Sequence, residues 1–298
     1  MKLHQIDEPL LEFGSDTHIC PRAGIAKYDV YDSRFSARRD RILVGAVGTS
    51  DDLGNLRNWL ERCGKSIPAK LNATQHNLFT AFCGFNNTSG FKATLVMEDE
   101  ITRTISKSEI KRILKIEDWD SRVTEAVDLY YQEVRFLAQN RNVDLIVCII
   151  PMELHEKISK EPLGPVEEPL DDRDRRESPE MNFRRALKAK AMHLGKPLQL
   201  MRELSTEANA KTQQDDATKA WNFCTALYYK ASQTVPWKLV TNINRPSICF
   251  VGIGFYRSRD KKTLNTSLAQ IFDELGNGVI LRGTPVDLNK EDRQPHLV

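Results

Sequence analysis

The chain has 298 residues, a formal net charge of +2, 40% hydrophobic and 28% charged side chains, and a pI near 8.1. These values place it among ordinary soluble globular proteins. They exclude a strongly basic, nonspecific polyanion binder, so any nucleic-acid contact has to come from a local patch. The length suggests two domains, each able to bury its own core. No apolar run is long enough to cross a bilayer, and the leading MKLHQIDEPL carries charges where a signal peptide is apolar, so a cytoplasmic location is expected. Six cysteines (Cys20, Cys63, Cys83, Cys148, Cys224 and Cys249) and six histidines are scattered without zinc-site spacing, and no metal site built from them is expected.

Residues 1–40 read as an irregular segment rich in turn formers, in which the alternating His18, Cys20 and Arg22 are assigned a structural role. Arg41–Thr49, RILVGAVGT, is a near-continuous apolar run of the kind buried on both faces of a parallel sheet. Ser50 or Asp51 is the expected cap of the helix that follows, with Leu53, Leu56, Trp59 and Leu60 at helical spacing. A dinucleotide fingerprint starting at Gly45 fails, because Val47 and Ser50 stand where glycines are needed. Phe91–Glu98 is a second strand candidate. Helices are expected over Lys107–Lys115 and Asp120–Asn140, the latter with one apolar stripe from Val123 to Leu137. Val143–Pro151 is a further buried strand, and the alternation of strands and helices predicts parallel crossover units in a three-layer α/β domain. Glu156–Glu180 holds four prolines and nine acidic against five basic residues, which predicts a mobile acidic surface loop.

The stretch from Phe183 to Trp237 carries the strongest functional signal. It reads as a basic helix, a short strand around Pro197–Met201, a polar turn and a second helix from about Asp216 to Ser232. Nine Lys or Arg stand against four Asp or Glu between Phe183 and Lys230, a local charge of +5. Arg184 and Lys188, at i and i+4, share a helix face, and Gln199 adds an amide. Composition leaves two readings open: a solvated basic face, or a pocket in which point charges and forked donors converge on one phosphate.

The order Arg184-x3-Lys188, then Gln199, then Lys230 in ALYYK, then Pro236-Trp237, resembles the MID domain of Argonaute proteins. The phrases FVGIGFYR and SLAQIFDELGNGVILRG that follow resemble the start of the PIWI domain, and the whole is similar to the short prokaryotic Argonautes, which lack the N and PAZ domains. The resemblance implies a Rossmann-like MID domain over residues 41–238, with the acidic loop at 156–180 inside it, and the beginning of an RNase H-like PIWI domain over 239–298. It also implies that Arg184, Lys188, Gln199 and Lys230 hold the 5′-phosphate of a guide, with Lys196 and Lys211 as weaker candidates. A Mg2+ ion at that phosphate is compatible with the family, without assigned ligands.

Ser247–Tyr256, Leu264–Asp273 and Gly278–Arg282 are expected to form three antiparallel strands, the last two joined through Asn277-Gly278. In cleaving Argonautes the first PIWI strand carries a metal-binding aspartate; here Gly254 takes that position, so a two-metal nuclease is not expected. With 52 residues from Ser247 onward, the PIWI portion reads as incomplete, either a fragment or a sheet whose edge a partner covers. The resemblance implies guide RNA, single-stranded target DNA of an invader, and an APAZ-containing effector subunit of TIR, Sir2 or nuclease type as partners in prokaryotic immunity. Two alternatives stand beside it: a Rossmann-like small-molecule or nucleotide-binding enzyme, and a scaffold that contacts protein only.

Overall fold

The computed structural model describes residues 7–70, 79–159, 183–203, 215–231, 235–240, 249–257, 262–272, 278–282 and 286–287. Contacts divide the chain into two compact units, one of Met1–Glu161 with Met181–Val240 and one of Pro162–Glu180 with Thr241–Val298.

The first unit is built on a parallel sheet. Strand β3 (Arg41–Gly48) is flanked by β5 (Thr102–Thr104) and β6 (Leu145–Ile150), β4 (Thr94–Val96) pairs with its first residues, and β7 (Leu198–Arg202) adds to β6. All these pairings are parallel, and helices cover both faces, which makes the unit a doubly wound, Rossmann-like α/β structure. Strand β6 explains why its sequence is apolar throughout. Leu145, Val147 and Ile149 enter the core beneath α2 (Ser50–Cys63) and α7 (Asp216–Ala231). Ile146, Cys148 and Ile150 enter the core beneath α3 (Lys107–Leu114), α4 (Trp119–Asn140), α5 (Met152–Ile158) and α6 (Phe183–Ala191). Successive side chains point to opposite faces, so a strand with a core on each side has no polar face to show.

Four local differences from the sequence reading have physical causes. Residues 7–40 are not irregular: β1 (Leu11–Glu12), β2 (Thr17–His18) and α1 (Pro21–Tyr28) form there, with Pro21 preset for the first helical turn. This segment is fastened by β1, which pairs with β8 (Lys238–Leu239), and by buried Asp32, which accepts from the Tyr228 hydroxyl at 2.5 Å. Thr49, not Ser50 or Asp51, caps α2: its hydroxyl accepts from the Asp52 amide and the Asp52 carboxylate accepts from the Thr49 amide, a closed capping box. The strand expected over Phe91–Glu98 shrinks to β4, because Lys92 has φ of +49°, outside extended geometry. The acidic stretch begins inside α5, whose last residues include Glu156; its remainder from 160 lies outside the described residues.

The second unit is antiparallel. Strand β10 (Thr263–Phe272) pairs with β9 (Phe250–Arg257) on one side and with β11 (Gly278–Arg282) and β12 (Val286–Asp287) on the other. Its three successive strands are the antiparallel set expected at the start of an RNase H-like domain; the turn residues 273–277 lie outside the described residues. Gly254 sits in β9 with open space where a side chain would extend.

Candidate phosphate-binding site

Helix α6 is fixed in roll by three core anchors. Phe183, Leu187 and Ala191, at i, i+4 and i+8, are buried, and the Phe183 ring meets Tyr130 of α4 edge-on at 5.4 Å. Arg184 and Lys188 each follow an anchor by one position, so both lie along the same flank of the helix. Lys230 comes from the last turn of α7, a helix that packs on the other face of the sheet through Trp221, Cys224, Leu227 and Tyr228. The two cationic elements thus belong to opposite faces, and among the described strands β7 is the sheet edge next to β6.

Electrostatics shows that these groups converge. Burial holds the Lys188 ammonium below the ordinary lysine value, and repulsion from Arg184 adds to it. Lys230 is lowered first by burial, then by Lys188, then by Arg184. The field of Arg184 thus acts on both lysines and that of Lys188 on Lys230, with the two lysines half-buried and Arg184 exposed. The sequence places Arg184 and Lys188 together by helical spacing; only the tertiary structure adds Lys230, 42 positions beyond Lys188 in the sequence.

The other candidates are placed differently. Strand alternation puts Gln199 on the face of Met201, the side of α7, and its amide nitrogen donates to the Leu200 carbonyl at 3.2 Å. Lys196 donates from Nζ to the Val143 carbonyl at 2.7 Å, so its ammonium braces the loop ahead of β6. It nevertheless shares a cleft of about 270 Å³ with Lys188, floored by Ala191, Pro197 and Leu198 and rimmed by Met192. Lys211 lies outside the described residues. The cleft itself was not foreseen in the sequence; its one legible signal is Gly195, whose φ of +64° turns the chain from α6 back into β7.

The C-terminal edge of the parallel sheet is the other place where a doubly wound fold takes ligands, at the point where strand order reverses. Here that point lies between β3 and β6, where the Thr49 and Met152 amides are already engaged by carboxylates. The Asp52 carboxylate, buried and raised in pKa chiefly by desolvation, accepts from the Thr49 amide and hydroxyl at 2.9 and 2.7 Å. Glu203 accepts from the Met152 amide at the start of α5 at 2.9 Å. Carboxylates seated on these amides disfavour a nucleotide phosphate at the same donors. Among the described residues no group of three or more His, Cys, Asp or Glu is placed to hold a metal ion.

No protein-family model matches the chain, and no curated protein matches it in sequence. Among solved structures it is similar to a Marinitoga piezophila Argonaute in complex with 5′-OH guide RNA, with a TM-score of 0.44 and 11% identity. The match covers 95% of this chain and 34% of that one, so the chain spans about a third of that structure's length. Among the described residues no helix is long and apolar enough to cross a membrane.

Proposed function

We propose that this chain binds the 5′-phosphorylated end of a guide nucleic acid, RNA in the first instance, and presents it for pairing with single-stranded target DNA. The observation that carries the reading is that α6 and α7 bring Arg184, Lys188 and Lys230 near enough for their charges to be felt, with Lys188 and Lys230 half-buried and Arg184 exposed beside them. Like charges gathered at half-buried positions oppose folding, and a dianionic phosphate beside Lys188 and Lys230 converts that cost into attraction. The residue order Arg184, Lys188, Gln199, Lys230, which resembles the Argonaute guide pocket, supports the same reading independently. In this division of labour the protein grips phosphate and base pairing reads the sequence.

Target cleavage is assigned to no residue of this chain, because Gly254 replaces the first carboxylate of a two-metal site. Recognition of an invader's DNA would instead be passed to an APAZ-containing effector subunit, the partner that the family resemblance implies. The competing enzyme reading has the carboxylate-filled switch point against it.

The deciding measurement is the affinity for one short RNA sequence bearing either a 5′-phosphate or a 5′-hydroxyl. A preference for phosphate of about tenfold, roughly 1.4 kcal/mol, is expected, and Lys188→Ala or Lys230→Ala should abolish it. Equal affinity for both ends, lost in parallel as salt rises, would leave only a nonspecific basic surface.

A further inference from the structure

The last turn of α7, which carries Lys230, is held by one short piece of the N-terminal segment. A 3-10 helix over Tyr31–Arg34 reaches it at two adjacent residues. Asp32, only 1% exposed, accepts from the Tyr228 hydroxyl at 2.5 Å, and the Tyr31 amide donates to the Pro236 carbonyl at 2.7 Å. Lys230 lies between these two attachment points in the sequence. Arg38 completes the group: its guanidinium donates to the Tyr228 hydroxyl and to the Phe91 carbonyl at 3.2 Å each, and lies 3.8 Å from the Asp32 carboxylate. Burial, and then the Asp32 carboxylate, hold the Tyr228 phenol well above its ordinary pKa, so it remains a donor throughout the neutral range.

A buried carboxylate facing a guanidinium is a weak source of stability, because desolvation of the two charges offsets most of their attraction. What the group supplies beyond an apolar contact is direction, since a hydrogen bond weakens steeply as its angle closes. The Tyr228 ring meets Phe91 and Phe85 at centroid distances of 5.7 and 6.1 Å, contacts that are less sensitive to a small roll of the helix. At 3.6 residues per turn Lys230 leaves α7 about 200° round from Tyr228. A roll fixed at the hydroxyl therefore also fixes the heading of the Lys230 side chain. That heading matters, because Lys230 feels the charges of Lys188 and Arg184 on α6.

We propose that Asp32 is a positioning residue: through the Tyr228 hydroxyl, and balanced by Arg38, it sets the roll of the last turn of α7 and holds Lys230 beside Lys188. That the cations so held grip a phosphate rests on the function proposed above; the holding of Lys230 does not.

The test uses the full chain and two readouts: the affinity ratio for one short RNA with a 5′-phosphate or a 5′-hydroxyl, and the NMR titration of the Lys230 side chain without RNA. Tyr228→Phe, which removes only the hydroxyl, should cut the phosphate preference roughly fivefold while leaving affinity for the 5′-hydroxyl strand unchanged. Its Lys230 should titrate at higher pH than in wild type, because the ammonium moves away from Lys188 into water. Asp32→Ala, whose side chain cannot reach the hydroxyl, should repeat both effects. Asp32→Asn keeps an acceptor in place and should restore wild-type behaviour. Thr49→Ala, which weakens a distant helix cap, should alter neither readout. The inference is overturned if Tyr228→Phe and Asp32→Ala leave the Lys230 titration at its wild-type position, if Asp32→Asn fails to restore it, or if Thr49→Ala shifts it equally. A wild type without phosphate preference, whose Lys230 titration still shifts in Tyr228→Phe, would overturn the phosphate reading and keep the positioning. A shifted titration with the preference intact would keep the positioning and remove Lys230 from the phosphate site.

Discussion

The cation cluster makes a prediction at the residue scale whose sign is set by its lowered pKa values. Lys188 and Lys230 are harder to protonate in the folded chain than in the unfolded one, chiefly through burial. Such groups oppose folding while charged, and stability rises as pH climbs through their folded-state pKa toward the unfolded value. Replacing either by methionine should therefore stabilise the ligand-free protein at neutral pH by no more than about 1 kcal/mol after solvent screening, read as a higher thermal midpoint. The same substitution should remove the stabilisation given by a 5′-phosphorylated oligonucleotide. A midpoint that falls in Lys188→Met and Lys230→Met alike would mean the cations are structural. Binding of phosphate ends should strengthen as pH rises through about 6, where the phosphate takes its second charge. It should then weaken on the alkaline side earlier than at an ordinary lysine site, because these ammonium groups lose their protons sooner.

The site depends at the element scale on how α6 and α2 are seated. Leu187 is fully buried and precedes Lys188 directly, so Leu187→Ala should cost about 2–5 kcal/mol and weaken phosphate binding together, measured by denaturant unfolding and by titration. The capping box at α2 is separate from the cations. Thr49→Ala should cost about 0.5–2 kcal/mol and leave guide affinity unchanged. Asp52 adds a pH signature: its pKa is raised in the folded chain, so wild type gains stability relative to Asp52→Asn as pH falls through the carboxylate range. Chemical denaturation across that range checks the sign.

For the whole molecule the testable statement is about chemistry. Wild-type chain, loaded with guide and supplied with Mg2+ or Mn2+, should leave complementary single-stranded DNA intact. Gly254→Asp should not create cleavage, since one carboxylate does not build a two-metal site. Guide-directed cutting by the purified wild type would overturn that assignment. The sheet of the second unit also leaves Phe250, Val251, Ile253, Phe255 and Val279 more than half exposed. The apolar residues that make β9 read as a strong strand are thus not evidence of a core.

The sequence by itself determined the elements whose signals are local. The run RILVGAVGT, the stripe of α4 and the buried VDLIVCIIP each carry their own periodicity, and all three formed near their expected bounds. Arg184 and Lys188 were legible as one face because four residues make one helical turn. What the sequence could not determine depends on distant partners. Strand β8 is two residues long and pairs with β1 across more than 200 positions, while β1 itself also pairs with nearby β2. The exception is the box of Thr49 and Asp52, which is local, three residues apart, although neighbouring Ser50 and Asp51 were equally plausible caps. Lys230 joins Arg184 and Lys188 only after helices on opposite faces are folded onto one sheet. Local spacing fixes which side chains share a face; packing decides which faces meet, and the field and shape of a binding site belong to that second step.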